Sequence, residues 1–237
     1  MRNAIVMAAG EGRRLRPLTE AVAKPVLPID GRPVIATLLR DLADAGAEEV
    51  TVVVGHLAEQ VRRLLGDGGA FAVRIRYVEQ PEPLGSADAV LRALRGGAPL
   101  PTLVTAADTV FGRGDVARFA SAFAASGAAG AIAGRYDPPP APPHRYGLRI
   151  EDGRVTRVLD DDPANRLAGA PLWGLDDGAA RFLDPLPGRA PYELASAGQL
   201  AIDAGETIAG VVIGKTRDLT RPLDLVMENF HYVGGVT

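Results

Sequence analysis

The chain contains no cysteine among its 237 residues. Without thiols it cannot build a disulfide scaffold, a thiolate zinc site or an iron–sulfur cluster, and it cannot use a cysteine nucleophile. Acid–base chemistry and metal chemistry with other ligands remain open.

Long apolar runs and a strong excess of one charge are also missing. No apolar run reaches the ~18 residues that a membrane-spanning helix needs. The N-terminal segment MRNAIVMAAGEG turns polar and glycine-rich too early for a signal peptide. The formal net charge of −3 offers no electrostatic surface for nucleic acid or for an anionic membrane. We therefore expect a cytoplasmic protein with no nucleic-acid partner and no membrane partner.

Lysine is scarce in this chain. Of the 26 basic residues, 24 are arginine, and the two lysines are Lys24 and Lys215. Because the chain otherwise uses arginine, both lysines are candidates for a specific role.

The first ~130 residues alternate between strand and helix patterns. A short apolar run at Ala4 to Ala9 precedes a glycine turn, and VIATLLRDLADAG after Pro33 has helical periodicity. Strands are predicted at EEVTVVVGH, VRIRYVEQ and PTLVTAADTVF. Helices are predicted at about 57–65, at SADAVLRALRGG and at DVARFASAFAASG, where Asp115 is the expected N-cap. Repeated βα units favour a mainly parallel sheet with helices on both faces.

The pattern changes at residues 137–145, where five prolines occur in nine positions. Such a segment is a boundary or a surface loop, because proline fits neither a helix interior nor a central strand. A hairpin with a DG turn follows in RYGLRIEDGRVTRVLDD, and PLWGLD is a candidate strand. A helix near 194–204, a strand at TIAGVVIG and a last helix that begins at a proline complete the chain.

The first strand runs into a turn of small residues. Ala8, Ala9, Gly10 and Gly12 would let backbone N–H groups approach an anion such as phosphate, and arginines follow at 13, 14 and 16. A Rossmann fingerprint is disfavoured because its third glycine position holds Leu15, and no Walker loop is present. The pattern indicates a nucleoside triphosphate site, and the alternative is a tight turn before a solvated run of charge.

These residues also carry a resemblance. The segments GEGRRLRPLT and KPVLPIDGRPVI resemble the signature of sugar-1-phosphate nucleotidylyltransferases, GxGTRLxPLT followed by KPxxPxxGxPxI. VEQPEPLGSADAV, TAADTVF, YGLRIEDGRVTRV and RDLTRPLDLVMEN resemble later segments of that family in the same order. The resemblance implies one three-layer α/β/α, Rossmann-like nucleotidyltransferase domain over 1–237 with a mixed, mostly parallel sheet. Residues 1–135 would bind the nucleotide, and residues 136–237 would bind the acceptor and complete the metal site.

The activity implied by the resemblance is Mg²⁺-dependent transfer of a nucleotidyl group from a nucleoside triphosphate to a sugar 1-phosphate. Arg14 would hold the triphosphate, and Lys24 would lie at the attacking phosphate and the α-phosphate. Asp108 and Asp218 would bind Mg²⁺. The resemblance implies that Asp108 is also a catalytic residue. The nucleotide would be bound by Ala8, Ala9, Gly10, Gly12, Arg13, Gln80, Gly85 and Ser86.

On the acceptor side the sequence departs from the family pattern. The resemblance places the acceptor at Gly147, Asp161 and Glu193, but aspartates at 160–162 stand where the family has a phosphate-binding lysine. Lys215 is our candidate for the missing charge, with Arg145 and Arg166 as competitors. A non-sugar acceptor, such as a phosphorylated alcohol or a cofactor, therefore stays open.

Other readings also remain open. A non-catalytic nucleotide-binding module is disfavoured because Arg14, Lys24, Asp108 and Asp218 are all retained.

Three histidines, at 56, 144 and 231, match no metal-ligand spacing, and Trp173 is expected in the core or in a pocket wall. The protein could be a monomer or a homodimer.

Overall fold

The computed structural model describes residues 1–136 and 146–230. The proline-rich segment, His144, Arg145 and His231 lie outside this part of the chain. The strands are β1 (Asn3–Ala8), β2 (Pro28–Ile29), β3 (Arg32–Pro33), β4 (Glu49–Val54), β5 (Arg74–Glu79), β6 (Thr102–Ala106), β7 (Thr109–Val110), β8 (Gly130–Arg135), β9 (Gly147–Glu151), β10 (Arg154–Asp160), β11 (Ala168–Leu175), β12 (Ile208–Val212) and β13 (Arg217–Asp218).

The α-helices connect these strands. They are α1 (Leu18–Ala21), α2 (Val34–Asp44), α3 (Ala58–Leu65), α4 (Ser86–Arg95), α5 (Asp115–Ser126), α6 (Asp177–Ala180), α7 (Leu194–Asp203) and α8 (Pro222–Met227). Short 3₁₀ turns lie at Arg13–Leu15, Lys24–Val26, Gly69–Phe71 and Arg181–Leu183. None of the helices in the described residues is long and apolar enough to cross a membrane.

One nine-stranded sheet has the order β5-β4-β1-β6-β11-β8-β12-β10-β9. Its first four strands pair in parallel, as do β8 and β12. β11 enters antiparallel between β6 and β8, and β10 pairs antiparallel with β12 and β9. Seven strands therefore run one way and β10 and β11 run against them, which confirms the predicted mixed, mostly parallel sheet.

The core lies on both faces of the sheet, because successive strand residues point to opposite sides. Along β1, Val6 packs with α2, α3 and α5 on one face, whereas Ile5 packs with α4 and α7 on the other. The apolar runs without alternation have this cause: strands covered on both faces need apolar residues at every position. The three-layer α/β/α arrangement follows.

The hairpin predicted around the DG turn is confirmed. Asp152 and Gly153 join β9 to β10 with φ of 48° and 74°. Two consecutive positive φ values are the conformation that the two central residues of a type I′ turn require.

Asp115 does not cap α5, so this prediction was wrong. Gly114 precedes the helix with φ 78°, and Asp115 is the first helical residue. The buried Asp115 carboxylate instead accepts from the Gly214 N–H at 2.9 Å and pairs with Arg118 at 2.8 Å. The turn into the helix needs a left-handed residue, and glycine provides it without a steric penalty.

Asp41 on α2 gives a pH-dependent prediction. Burial, with repulsion from Asp44, raises the pKa of its carboxyl to about 6. Because the folded-state pKa lies above the unfolded one, ionisation near neutral pH destabilises the fold. Asp41→Asn should raise the free energy of unfolding by on the order of 1–2 kcal/mol at about pH 8. The gain should vanish as pH falls through about 6 towards about 4, where the wild-type carboxyl is protonated. Urea unfolding of both proteins at the two pH values tests this, and an equal gain at both would contradict it.

Candidate active site

A cavity of about 420 Å³ opens at the carboxyl ends of β1 and β6. Ligands of open α/β sheets bind at this edge, where strands end and loops begin. The cavity receives the glycine loop, the segment after β5 and the start of α4. Its lining comprises Met7, Ala8, Ala9, Gly10, Gly12, Arg13, Arg14, Leu15, Lys24, Pro25, Gln80, Pro83, Gly85, Ser86, Ala89, Ala106, Ala107, Asp108, Glu193 and Thr220.

The glycine loop is held in place by a hydrogen bond from Thr19. Gly12 has φ 63°, and the Thr19 hydroxyl donates to its carbonyl at 2.9 Å. A Cβ at Gly12 would lie 2.9 Å from Thr19 Cγ2, so a side chain would have to displace the threonine. A Cβ at Gly10 would meet nothing within 4 Å. The loop therefore leaves room above Gly10 for a ligand.

The three arginines that follow differ in their partners. Arg13 pairs with Glu11 at 2.8 Å, and Arg16 pairs with the same carboxylate at 3.3 Å. Arg14 is exposed, lines the cavity and makes no hydrogen bond or ion pair within the described residues. Among the residues that the structure describes, its guanidinium is thus the one of the three without a carboxylate partner.

Lys24 and Asp108 form an ion pair across the cavity wall. Lys24 lies on the 3₁₀ turn Lys24–Val26, Asp108 follows β6, and their Nζ and Oδ2 atoms are hydrogen-bonded. Burial alone would raise the pKa of Asp108, but the charge and hydrogen bond of Lys24 outweigh it and hold that pKa below its usual value. The carboxylate is therefore ionised near neutral pH.

Asp218 is brought beside Asp108 by strand pairing. In the antiparallel pair of β7 and β13, Asp218 lies opposite Thr109. The Thr109 hydroxyl contacts Asp218 Oδ1 at 2.8 Å and Asp108 Oδ1 at 3.5 Å. Two acids that are 110 positions apart in sequence thus share one threonine.

This pair of carboxylates suits Mg²⁺, which is bound by one or two carboxylates together with phosphate and water. Within the described residues, no group of three His, Cys, Asp or Glu side chains could hold a metal by itself. The donor set of Asp108 and Asp218 therefore fits a cation that arrives with a phosphorylated substrate.

Arg135 is a site residue that the sequence analysis missed. It ends β8, is 4% exposed, and donates from Nη1 to Asp218 Oδ2 at 3.1 Å. Its Nε has no hydrogen-bond partner among the described residues. The sequence did contain a signal for this residue: an arginine ends the apolar strand GAIAGR, and a buried charge needs a partner.

Gln80 is buried at the end of β5 and also lines the cavity. Its Nε2 donates to the Gly85 carbonyl at 3.0 Å and to Asp88 Oδ2 at 2.8 Å. Asp88, which the sequence analysis did not single out, is held by Arg92 at 2.7 Å. The amide nitrogen of Gln80 is thus fully engaged with the protein.

The loop before α4 is joined to the segment before α7. The Ala87 N–H donates to the Tyr192 carbonyl at 2.8 Å, and the Tyr192 N–H donates to the Leu84 carbonyl at 2.7 Å. The Ser86 hydroxyl donates to Glu193 Oε2 at 2.7 Å and accepts from the Leu194 N–H at 2.8 Å. Ser86 and Glu193 therefore meet on one wall of the cavity.

The remaining acceptor candidates lie away from this cavity. Gly147 is buried in β9, whereas Asp161 and Lys215 are exposed, and none of the three lines the cavity. Arg166 is exposed too. Trp173, which we expected in the core or in a pocket wall, is buried in the core.

His56 also lies outside the main cavity. Its Nε2 contacts the Thr19 carbonyl at 2.8 Å. The ring borders a neighbouring cavity of about 280 Å³.

The structure is thus an α/β fold with a cavity at the carboxyl edge of its sheet, lined by a glycine loop, Arg14 and Lys24. The family model described as Nucleotidyl transferase matches residues 3–161. The chain belongs to this family of nucleotidyl transferases.

Individual relatives agree with this membership. The chain is 32% identical over 218 residues to a glucose-1-phosphate thymidylyltransferase of Xanthomonas campestris pv. campestris, covering 86% of this chain and 71% of that one. It is 28% identical to the low-salt glycan biosynthesis nucleotidyltransferase Agl11 of Haloferax volcanii, with 95% of this chain matched to 64% of that relative. A solved structure of a UDP-glucose pyrophosphorylase from Acinetobacter baumanii has the same fold, with a TM-score of 0.81 and 20% identity over 98% of this chain and 93% of that one.

Proposed function

We propose that the protein transfers a nucleotidyl group from a nucleoside triphosphate to a sugar 1-phosphate, giving an NDP-sugar and pyrophosphate. The observation that carries the proposal is that Arg14, which has no partner among the described residues, lines the same cavity as the Lys24–Asp108 pair. The names of the Xanthomonas and Acinetobacter proteins, a thymidylyltransferase for glucose 1-phosphate and a UDP-glucose pyrophosphorylase, support the same reaction class.

In the proposed reaction, an oxygen of the acceptor phosphate attacks the α-phosphorus of the triphosphate. The bond from the α-phosphorus to the oxygen that bridges to the β-phosphorus breaks, and pyrophosphate leaves with the bonding electrons. No proton has to move, so the protein has to position anions and neutralise their charge.

The side chains divide this work. The Arg14 guanidinium would bind oxygens of the departing pyrophosphate through its fork of N–H donors. Lys24 would place a compact positive charge between the attacking phosphate and the α-phosphate. Asp108 and Asp218 would hold Mg²⁺, which when bound supplies further charge neutralisation to the phosphates.

The nucleotide side of the proposal comprises the backbone of Ala8, Ala9, Gly10 and Gly12, the Arg13 side chain, and the base contacts of Gln80 and Gly85. The acceptor side comprises Gly147, Asp161, Glu193 and Lys215. Lys215 is exposed, so its part in binding would require an acceptor that reaches beyond the described cavity.

A second candidate is transfer to a non-sugar phosphate, such as the phosphate ester of a different alcohol. The observation that favours it is the acidic run at 160–162, where the family has a lysine. Asp160 and Asp162 both form ion pairs with Arg149.

The test is a pyrophosphate-release screen with Mg²⁺. UTP, dTTP, CTP, GTP and ATP are each combined with a panel of sugar 1-phosphates and with myo-inositol 1-phosphate. Release with a sugar 1-phosphate supports the first proposal, and release with the inositol ester alone supports the second. If triphosphates raise the melting temperature but no acceptor reacts, the protein is a nucleotide-binding module and both proposals fail.

A further inference from the structure

Two side chains on the first turn of α4 each hold a different cavity-lining group. Ser86 contacts the Glu193 carboxylate at 2.7 Å, and Asp88 contacts the Gln80 amide at 2.8 Å. Glu193 stands on the acceptor side of the proposed function and Gln80 on the nucleotide side. The first turn of α4 thus contacts one residue on the proposed nucleotide side and one on the proposed acceptor side.

The Asp88 contact determines which end of the Gln80 amide faces the ligand. Both partners of Nε2, the Asp88 carboxylate and the Gly85 carbonyl, are acceptors only. If the amide turned over, its oxygen would face two other oxygens, which is unfavourable for a side chain that is 5% exposed. Oε1 makes no hydrogen bond with any described residue, so it is the atom that Gln80 offers to a ligand, and the ligand must present an N–H or O–H there.

The Ser86 contact limits the Glu193 carboxylate in a similar way. The hydroxyl uses its single hydrogen on Oε2 and accepts from the Leu194 N–H at 2.8 Å. Oε2 is therefore anchored at the start of α7, and Oε1 is the oxygen that remains for a hydroxyl of the acceptor.

We propose that Ser86 and Asp88 are positioning residues: Asp88 orients Gln80 for the nucleobase, and Ser86 orients Glu193 for the acceptor. This inference rests on the proposed function. It assigns to each substrate one positioning residue on α4. It moves Ser86 from the nucleotide, where the sequence resemblance had placed it, to the acceptor through Glu193.

The experiment measures the effect of each positioning residue on nucleotide binding and on acceptor binding separately. Isothermal titration calorimetry gives the nucleotide Kd without acceptor, using the triphosphate that raises the wild-type melting temperature most. Steady-state kinetics at saturating triphosphate gives the acceptor KM. Asp88→Ala should raise the nucleotide Kd about tenfold and leave the acceptor KM unchanged, because an orienting partner of a buried amide is lost. Ser86→Ala should do the opposite, raising the acceptor KM about tenfold and leaving the nucleotide Kd unchanged.

Conservative variants control for general damage to the helix. Ser86→Thr keeps the hydroxyl and Asp88→Asn keeps an acceptor oxygen, so each should stay within about threefold of the wild type. Arg92→Ala removes the other partner of Asp88 while the contact with Gln80 remains, and should change neither parameter.

The crossed pattern is what the inference requires. An equal rise of both parameters in either alanine variant would show general damage and overturn it. A rise of the nucleotide Kd in Ser86→Ala would return Ser86 to the nucleotide. If the wild type binds triphosphate but turns over no acceptor, the proposed function and the Ser86 assignment fail together. The calorimetric result for Asp88 is read separately from that outcome.

Discussion

Asp108→Asn should lower kcat for pyrophosphate release by about 10²- to 10³-fold while leaving the fold intact. Asparagine keeps the shape of the side chain but removes the charge that pairs with Lys24 and that would help to hold Mg²⁺. The loss should appear in kcat rather than in KM, because Mg²⁺ held by Asp108 would stabilise the negative charge that develops on the phosphates in the transition state. Steady-state kinetics and a thermal melt of both proteins measure the two effects.

Asp41→Asn is the matched control for this variant. It makes the same chemical change at a carboxylate on α2 that does not line the cavity, and it should leave kcat unchanged. An Asp108→Asn enzyme with wild-type kcat would contradict the proposed role of Asp108 in holding Mg²⁺. A fall in kcat together with a collapse of the melting temperature would instead assign Asp108 a structural role.

Gly85→Ala should lower the free energy of unfolding by about 3 kcal/mol or more. Gly85 has φ 108°, and a Cβ there would lie 2.3 Å from the Tyr192 carbonyl oxygen and 2.5 Å from its nitrogen. Backbone atoms cannot move aside as a flexible side chain can, so the loop before α4 must separate from Tyr192. Because Gln80 and Ser86 depend on this loop, triphosphate binding and acceptor binding should both weaken.

Gly127→Ala is the comparison for an alanine at a positive φ without a clash. Gly127 has φ 62°, and a Cβ there would meet nothing within 4 Å. Its expected cost is the left-handed conformation alone, about 1–2 kcal/mol. In urea unfolding, Gly85→Ala should therefore lose clearly more stability than Gly127→Ala, and equal losses would mean that neither the backbone conformation of Gly85 nor its contact with Tyr192 excludes a side chain.

The candidate site joins distant parts of the chain through a single short strand pair. β7 follows Asp108 directly, and β13 carries Asp218, so their pairing sets the distance between the two acids. Arg135, at the end of β8, pairs with Asp218 Oδ2, the oxygen that Thr109 does not contact. A cation bound by both aspartates would thus connect segments that come from both halves of the chain.

Local features of this protein were predictable from its sequence. The strand before Gly10, the βα alternation of the first half and the DG hairpin depend on residue periodicity and turn chemistry within about ten residues. The glycine loop with Arg14 and Lys24 was predictable for the same reason, since its chemistry is contained in one continuous segment. The motif spacing also indicated the family, which the match over residues 3–161 confirmed.

Tertiary structure alone decided how these segments meet. No local pattern shows that β11 enters between β6 and β8, because strand order depends on long-range pairing. The sequence named Gln80 but not the amide orientation that Asp88 imposes on it, and it missed Arg135 altogether. Those roles arise from hydrogen bonds between residues that the fold brings together, and a buried polar group can be assigned a role only once its partners in space are known.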